Sequence, residues 1–236
     1  MRTTVLLITS LLYSLMGYAQ EYDTKLIPYR QGDKWGYCNP SKKVVIRPQF
    51  TEAHFFTGQL AMAKIDSYYC VINRQGNVVY RNTHYAYVVN EGANFVGTEN
   101  SYTERLYDVT GKAVTKVYNR ISDFNKYGYS MVTSGYTKQG LMDKSFKEVV
   151  PAEYGGIDFF SKDLIKVYDD KQRKFGMIDL NNGNKIACKY EQLYPPHEGL
   201  FMVVTGDHCA FIDRNGKEII GYKYSNCLLY TSPSPR

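Results

Sequence analysis

Four side chains in the C-terminal half of the sequence are of the types that bind zinc: Cys188, His197, His208 and Cys209. Structural zinc sites use cysteine sulfur and histidine nitrogen at short, regular spacings such as CxxC. None of the five cysteines belongs to a CxxC pair, and the four residues match no standard zinc motif. We therefore predict no metal site, and a disulfide between Cys188 and Cys209 stays open as an alternative.

The sequence supports calcium binding and nucleophilic catalysis no better than it supports a zinc site. The segment from Asp179 to Gly183 resembles the beginning of a calcium-binding loop, but Tyr190 stands where the loop needs a glutamate. The chain has no GxSxG sequence, which marks many serine nucleophiles. His208 and Cys209, as neighbours on a strand, would point to opposite faces. We expect no catalytic residue, no metal and no cofactor.

The aspartates and asparagines show a different regularity, which is an internal repeat. One Asp or Asn ends a short apolar segment at nearly constant spacing, with successive separations of 34, 35, 35, 36 and 34 residues. The members of this Asx column are Asn39, Asn73, Asp108, Asp143, Asp179 and Asp213. A period of about 35 residues is typical of stacked supersecondary units. The sequence therefore predicts about six tandem repeats, the last of them incomplete.

Glycine and aromatic residues keep the same frame. Three residues after the Asx, glycine occurs at Gly76, Gly111 and Gly216, whereas Lys42 and Phe146 stand there in two other repeats. About eleven residues after the Asx comes an aromatic column of Phe50, Tyr118, Tyr154, Tyr190 and Tyr224, with Tyr85 displaced. A phenylalanine follows in the next predicted loop at Phe55, Phe124 and Phe159.

Residues 211–220 illustrate the physical role of these columns. A strand ends at Asp213, whose carboxylate can accept a backbone N–H two residues later and so form an Asx turn. Gly216 can then adopt the left-handed conformation that closes a short hairpin, and Ile219 and Ile220 begin the return strand. We interpret the Asx column as turn-capping and not as catalytic.

A third short, β-rich segment completes each unit, for example at residues 60–64 and 200–204. No mature segment shows helical periodicity. Because one three-stranded unit cannot bury its own apolar face, neighbouring units must supply the core. The predicted fold is all-β, with tandem repeats of about three short antiparallel strands in an open β-meander superhelix. A closed, propeller-like array is the alternative.

The segment from Lys34 to Asn39, which contains Trp35-Gly36, resembles the WG repeat family together with residues 43–50. The pattern of that family is Trp-Gly, an apolar pair, Asp, a turn with Gly-Lys, a Val/Ile strand, proline and an aromatic residue. Close variants of its first two residues follow at Gln139-Gly140 and Phe175-Gly176, whereas the second and third repeats depart from the pattern, with Tyr69-Cys70 and Glu104-Arg105 at this place. The resemblance covers roughly residues 28–224. It implies a β-repeat module of a bacterial, often exported, protein, and it implies no shared catalytic residue.

The two ends of the chain differ from the repeats. Residues 1–19 have the form of a signal peptide, with Arg2, an apolar run and small residues before the cleavage expected after Ala19. We expect residues 20–27 to be a lead-in, residues 28–224 to hold the repeats, and residues 225–236 to be a non-native or disordered tail. The chain is thus interpreted as a C-terminally truncated bacterial fragment, exported to the periplasm, the cell surface or the medium.

The composition of the sequence disfavours some classes of function. The net charge of +6 comes from dispersed Lys and Arg, which disfavours nucleic-acid binding because that function needs a basic face. No mature segment could span a membrane. We predict a non-enzymatic module for protein–protein interaction or scaffolding at the cell envelope. The alternative is a glycan-binding surface protein that uses the tyrosines Tyr22, Tyr29, Tyr68 and Tyr136, and a hydrolase ranks third.

Overall fold

The computed structural model of the chain describes residues 25–135 and 137–225. The predicted signal peptide, residues 226–236 of the predicted tail, Tyr22 and Tyr136 lie outside the described residues. The chain divides after Asp123 into two compact units.

The first unit holds three antiparallel sheets, each formed by consecutive strands. Sheet 1 contains β1 (Ile27–Gln31), β2 (Lys34–Cys38) and β3 (Val44–Phe50). Sheet 2 contains β4 (Glu52–Ala53), β5 (Leu60–Ile65), β6 (Tyr68–Asn73) and β7 (Val78–Asn82). Sheet 3 contains β8 (Ala86–Val89), β9 (Asn94–Asn100) and β10 (Thr103–Asp108).

The second unit follows the same plan, and β11 spans the boundary between the units. Sheet 4 contains β11 (Arg120–Phe124), β12 (Tyr129–Ser134), β13 (Lys138–Asp143) and β14 (Glu148–Tyr154). Sheet 5 contains β15 (Gly156–Ser161), β16 (Leu164–Asp169), β17 (Lys174–Asp179) and β18 (Lys185–Tyr190). Sheet 6 contains β19 (Gln192–Leu193), β20 (Phe201–Thr205), β21 (His208–Ile212) and β22 (Glu218–Ser225).

The all-β prediction is confirmed. In the described ranges the helical content is a single 3-10 turn at Asn90–Gly92. None of the described helical segments has the length and apolar character needed to cross a membrane. Leu26 is buried in the first core and β1 begins at Ile27.

The strand count differs from the sequence prediction in four sheets. Sheets 1 and 3 have three strands, and the other four sheets have four. Two of the additional strands, β4 and β19, are only two residues long, which is too short to show the alternating pattern of a strand in the sequence. In sheet 3 the predicted return strand after Asp108 is reduced to isolated bridges, which join Tyr107 with Ala113 and Glu104 with Tyr118.

The prediction that a phenylalanine lies in the loop after the aromatic column is wrong for Phe124 and Phe159, which lie on β11 and β15. Phe55 does lie in a loop and is 71% exposed.

The cores lie between neighbouring sheets, as the stacking argument predicts. In the first unit, Tyr37 and Phe50 of sheet 1 pack with Ile72 of sheet 2. In the second unit, Met177 of β17 belongs to the cluster shared with sheet 6, and its neighbour Ile178 belongs to the cluster shared with sheet 4. Sheet 5 therefore buries both of its faces, which explains the continuous apolar run at the end of β17.

Truncation of a buried side chain at one of these interfaces should be costly. Leu141 is fully buried between sheets 4 and 5, so we expect Leu141→Ala to lower the free energy of unfolding by about 2–5 kcal/mol. Val149, also on sheet 4, is 37% exposed, and Val149→Ala should cost less than about 1 kcal/mol. Guanidinium denaturation measures both. Equal losses in the two variants would contradict a core placed between the sheets.

Candidate functional site

The residues of the Asx column cap the turn that follows their strand. Oδ1 of Asp213 accepts hydrogen bonds from the backbone N–H groups of Asn215 and Lys217, both at 2.9 Å. Bonds of this kind occur at the other members of the column, Asn39, Asn73, Asp108, Asp143 and Asp179. The Thr110 hydroxyl donates to Asp108 at 2.6 Å and holds the pKa of that carboxyl below its usual range. The column therefore stabilises backbone turns.

The position three residues after the Asx is left-handed whether or not it is glycine. Gly76, Gly111 and Gly216 have φ values of +84°, +85° and +81°. Lys42 and Phe146, which occupy this place in two other repeats, have φ values of +63° and +65°. Because side-chain-bearing residues rarely adopt this conformation, the turn as a whole must impose it.

The glycine of the Trp-Gly motif lies against the backbone of the outer strand. A Cβ atom built on Gly36 would stand 2.3 Å from the carbonyl oxygen of Ile46, and one built on Gly176 would stand 2.4 Å from that of Ile186. The corresponding distance at Gly140 is 2.6 Å. A real Cβ atom cannot occupy such a position without displacing the strand, so glycine permits this close approach.

The close approach accompanies a β-bulge in the outer strand. Trp35 pairs with Phe50 and Tyr37 pairs with Ile46, so that three residues of β2 face five residues of β3. The same step occurs in sheets 4, 5 and 6. In sheet 2, Cys70 stands at the glycine position, and here Tyr69, Cys70 and Val71 pair one to one with Asn82, Arg81 and Tyr80 of β7. The outer strand of sheet 2 therefore lacks the bulge at the motif position.

The bulge determines where the aromatic column lies. Phe50 and Tyr190 stand opposite Trp35 and Phe175, the first residues of their motifs, and both are buried. In sheet 2, which pairs without this bulge, the displaced Tyr85 lies outside the strands and is 55% exposed. The irregular aromatic spacing of the second repeat thus accompanies the absence of this bulge.

The cysteines and histidines are not arranged as a metal site. In the described ranges no group of three or more His, Cys, Asp and Glu side chains is placed to hold a metal ion. Cys188 is a free thiol while Cys209 is disulfide-bonded, which excludes a bridge between these two residues. Burial raises the pKa of the Cys188 thiol and so keeps it protonated. His208 is exposed and Cys209 is buried, as expected for strand neighbours, and His197 lies exposed in a loop.

An ionic network that the sequence did not predict joins neighbouring repeats. Oδ2 of Asp179 accepts a hydrogen bond from Nε of Arg214 at 2.7 Å, and Nη2 of Arg214 donates to Oδ2 of Asp163 at 2.7 Å. Asp179 is 4% exposed, so its carboxylate needs a charged partner. The only feature of the sequence that could have indicated this network is an arginine directly after the Asx residue. Arg74 occupies this position in sheet 2, where it donates to the carbonyl oxygen of Gly58.

This network makes stability depend on pH. The hydroxyl of Ser161, which donates to Asp163 at 2.6 Å, and the charge of Arg214 lower the pKa of Asp163 from 3.8 to about 2. A carboxyl whose pKa is lowered by folding stabilises the protein above its unfolded pKa. That contribution is therefore complete above about pH 4 and is lost as the pH falls towards 2.

We expect Arg214→Met to lower the free energy of unfolding by roughly 1–3 kcal/mol at pH 7, because two charge-assisted hydrogen bonds are lost. The difference from the wild type should shrink as the pH falls from 4 to 2. Arg47→Met, at an exposed arginine, is the matched control and should change little. Urea denaturation at several pH values measures the effect. A difference that does not depend on pH would contradict the role of the two carboxylates.

A cleft of about 650 Å³ lies in the second unit, where sheets 4, 5 and 6 contribute to its walls. Its polar side chains are Gln139, Asp158, Lys166, Arg173, Glu191 and Gln192. Tyr168 and Phe175 form an aromatic wall, with ring centroids 4.9 Å apart. Gln139 and Phe175 occupy the first position of the motif in their repeats, so this position faces the cleft. The volume is within the range of small-ligand sites.

The tyrosines predicted for glycan binding are dispersed. Tyr29 lies half-buried on β1 of sheet 1, and Tyr68 lies on β6 of sheet 2. The guanidinium of Arg81 stands 4.1 Å from the ring centroid of Tyr68 and covers part of it. The other two, Tyr22 and Tyr136, are not among the described residues.

Antiparallel sheets that recur with a period of about 35 residues define a tandem β-repeat protein. Residues 35–69, 140–171 and 175–207 match the family described as WG containing repeat. These three matches support a WG-repeat protein. These matches include Trp35, Gly36, Gly140 and Gly176, the positions of the close strand approach.

No curated protein matches the chain. Similar solved structures include BamB from Moraxella catarrhalis, with 11% identity, coverage of 82% of this chain and 68% of that chain, and a TM-score of 0.34. Hsv2p from Kluyveromyces lactis has 11% identity, coverage of 66% and 64%, and a TM-score of 0.35. The dihydro-heme d1 dehydrogenase NirN has 14% identity, coverage of 84% and 54%, and a TM-score of 0.35. The chain thus spans less than two thirds of Hsv2p and NirN.

Proposed function

We propose that the chain is an exported, non-enzymatic repeat module that binds a protein partner at the cell envelope through the outer strands of its sheets. One observation carries this proposal. The second residue of the outer strand is a β-branched apolar residue that stays exposed in three sheets. These residues are Val45, Val149 and Ile219, which are 48%, 37% and 50% exposed.

The outer strands also have hydrogen-bonding capacity. Each of β3, β14 and β22 is the last strand of its sheet and has one paired neighbour among the described strands. The edge of such a strand can pair with an extended segment of another protein, and exposed apolar side chains then add contact area. In sheet 5 the strand begins with Lys185, a residue type that disfavours edge pairing. The exposed residues and free strand edges therefore favour partner binding at sheets 1, 4 and 6 and not at sheet 5.

The signal-peptide pattern of residues 1–19 supports export, because it combines a basic start, an apolar run and a small residue at the expected cleavage site. The dispersed positive charge supports a protein partner over a nucleic acid.

Site-specific photo-crosslinking in the producing cell tests this proposal. A benzophenone amino acid is placed in turn at Val45, Val149 and Ile219, and at the exposed turn residues Ser67 and Asn215 as matched controls. We expect a discrete adduct in the envelope fraction from the outer-strand positions and none from the turn positions, because only the former would lie in the interface. The adduct should disappear on protease treatment, since the partner is a protein.

Three results would overturn the proposal. They are the absence of an adduct at all three outer-strand positions, equal adducts at the control positions, and a crosslinked product that survives proteolysis. Retention of residues 1–19 on the protein in the cell would separately overturn export, and N-terminal sequencing detects it.

A further inference from the structure

The connection between β16 and β17 differs from the corresponding turns of the other sheets. Asp169 pairs with Lys174, so four residues separate the two strands. In sheets 1, 2 and 6 the corresponding strands are joined by two residues, at 32–33, 66–67 and 206–207. The longer turn consists of Asp170, Lys171, Gln172 and Arg173, and it stands beside the 650 Å³ cleft of the second unit.

Arg173 is the residue by which this turn reaches the cleft. Its φ value is +56°, a left-handed conformation that Gly32 and Gly206 adopt in the shorter turns at +57° and +58°. An arginine in this conformation is strained, and strained residues are often found at binding sites. The side chain is exposed and lines the cleft. Within the described part of the chain, no carboxylate lies within salt-bridge distance of it.

The acidic residues of the cleft already have cationic partners. Asp158 lies 3.2 Å from Nζ of Lys166, and Glu191 lies 2.8 Å from Nζ of Lys174. The positive charge of Arg173 is therefore not balanced inside the cleft. An unpaired guanidinium is well suited to a carboxylate, because its planar N–H groups can form two parallel hydrogen bonds.

The remaining polar groups of the cleft suit hydroxyl groups. Each ion pair presents a donor and an acceptor, and a hydroxyl can use both. Oε1 of Gln139 accepts the backbone N–H of Ile157 at 3.1 Å, which leaves the amide NH₂ group of Gln139 as a donor. The exposed amide of Gln192 adds another donor and acceptor. Tyr168 and Phe175 provide an apolar surface for the body of a ligand.

We propose that this cleft is a binding site for an acidic sugar, with Arg173 pairing with the carboxylate of a uronic acid residue and the ion pairs and amides binding its hydroxyl groups. This site goes beyond the proposed protein interaction, because it uses the turn side of sheets 4 to 6 and none of the exposed outer-strand residues Val45, Val149 and Ile219.

Calorimetric titration of the full chain with trisaccharides of galacturonate, glucuronate and mannuronate tests the proposal. At least one of the three should bind, and the matching neutral trisaccharide should bind at least about tenfold more weakly, as expected for the loss of one charge-assisted pair. The tripeptide acetyl-Ala-Ala-Ala, which has a carboxylate but no hydroxyl groups, should also bind at least about tenfold more weakly.

Two variants of the long turn identify the residue responsible. We expect Arg173→Gly to weaken uronate binding by at least about tenfold. It should not lower the melting temperature, because glycine favours the left-handed backbone found there. Lys171→Gln removes the same charge from the same turn, but Lys171 lies outside this cleft, so binding should change less than about twofold.

Four results would overturn the assignment. These are no binding of any of the three uronates, equal binding of the neutral sugar, equal or tighter binding of the tripeptide, and unchanged binding in Arg173→Gly. The third result would identify the cleft as a peptide carboxylate site instead. None of these results bears on the crosslinking of the outer strands, so the two proposals stand or fall separately.

Discussion

The contact between the motif glycine and the backbone of the outer strand is the central constraint in the repeats that have this glycine, at Gly36, Gly140 and Gly176. At Gly36 and Gly176 the two strands are so close that a Cβ atom would lie within 2.4 Å of a carbonyl oxygen. At these positions the outer strand bulges, and Phe50 and Tyr190 at the far end of the bulge lie in the core. Sheet 6 has the same bulge with Ala210 at the glycine position, so the position requires a small residue. A separate register shift between Tyr37 and Cys38 leaves Val45 of β3 without a partner on β2, and Val45 is exposed.

The turns connect one repeat with the previous one. The turn glycine Gly76 of sheet 2 lies over Ile46 of sheet 1, and Gly216 of sheet 6 lies over Ile186 of sheet 5. Arg214, in the same turn as Gly216, reaches back to the Asx residue of sheet 5. These turns of sheets 2 and 6 therefore close their own hairpins and also pack on the preceding sheet. A regular sequence period follows, because every repeat must present the same surfaces to the next.

The sequence was sufficient for features that depend on local chemistry. The Asx turns, the left-handed glycines and the all-β class follow from turn-forming residues at a fixed period. It was insufficient where a feature depends on contacts between distant residues. The pairing of Arg214 with Asp163 spans 51 positions, and the short strand β4 exists only because β5 pairs with it. The cleft could not be predicted from the sequence, because its walls come from three different sheets. Phe175 of β17 lies there beside residues of sheets 4 and 6.

The stability of Gly176→Val tests the glycine constraint most directly. Valine favours strands, so propensity alone predicts a more stable protein, whereas the close approach to Ile186 predicts a loss of about 1–3 kcal/mol from overpacking. Ala210→Gly is the matched control, because Ala210 occupies the motif glycine position in sheet 6, and it should change stability by less than about 1 kcal/mol. Guanidinium denaturation of both variants decides the matter. A Gly176→Val protein as stable as the wild type, or more stable, would contradict this account of the repeat.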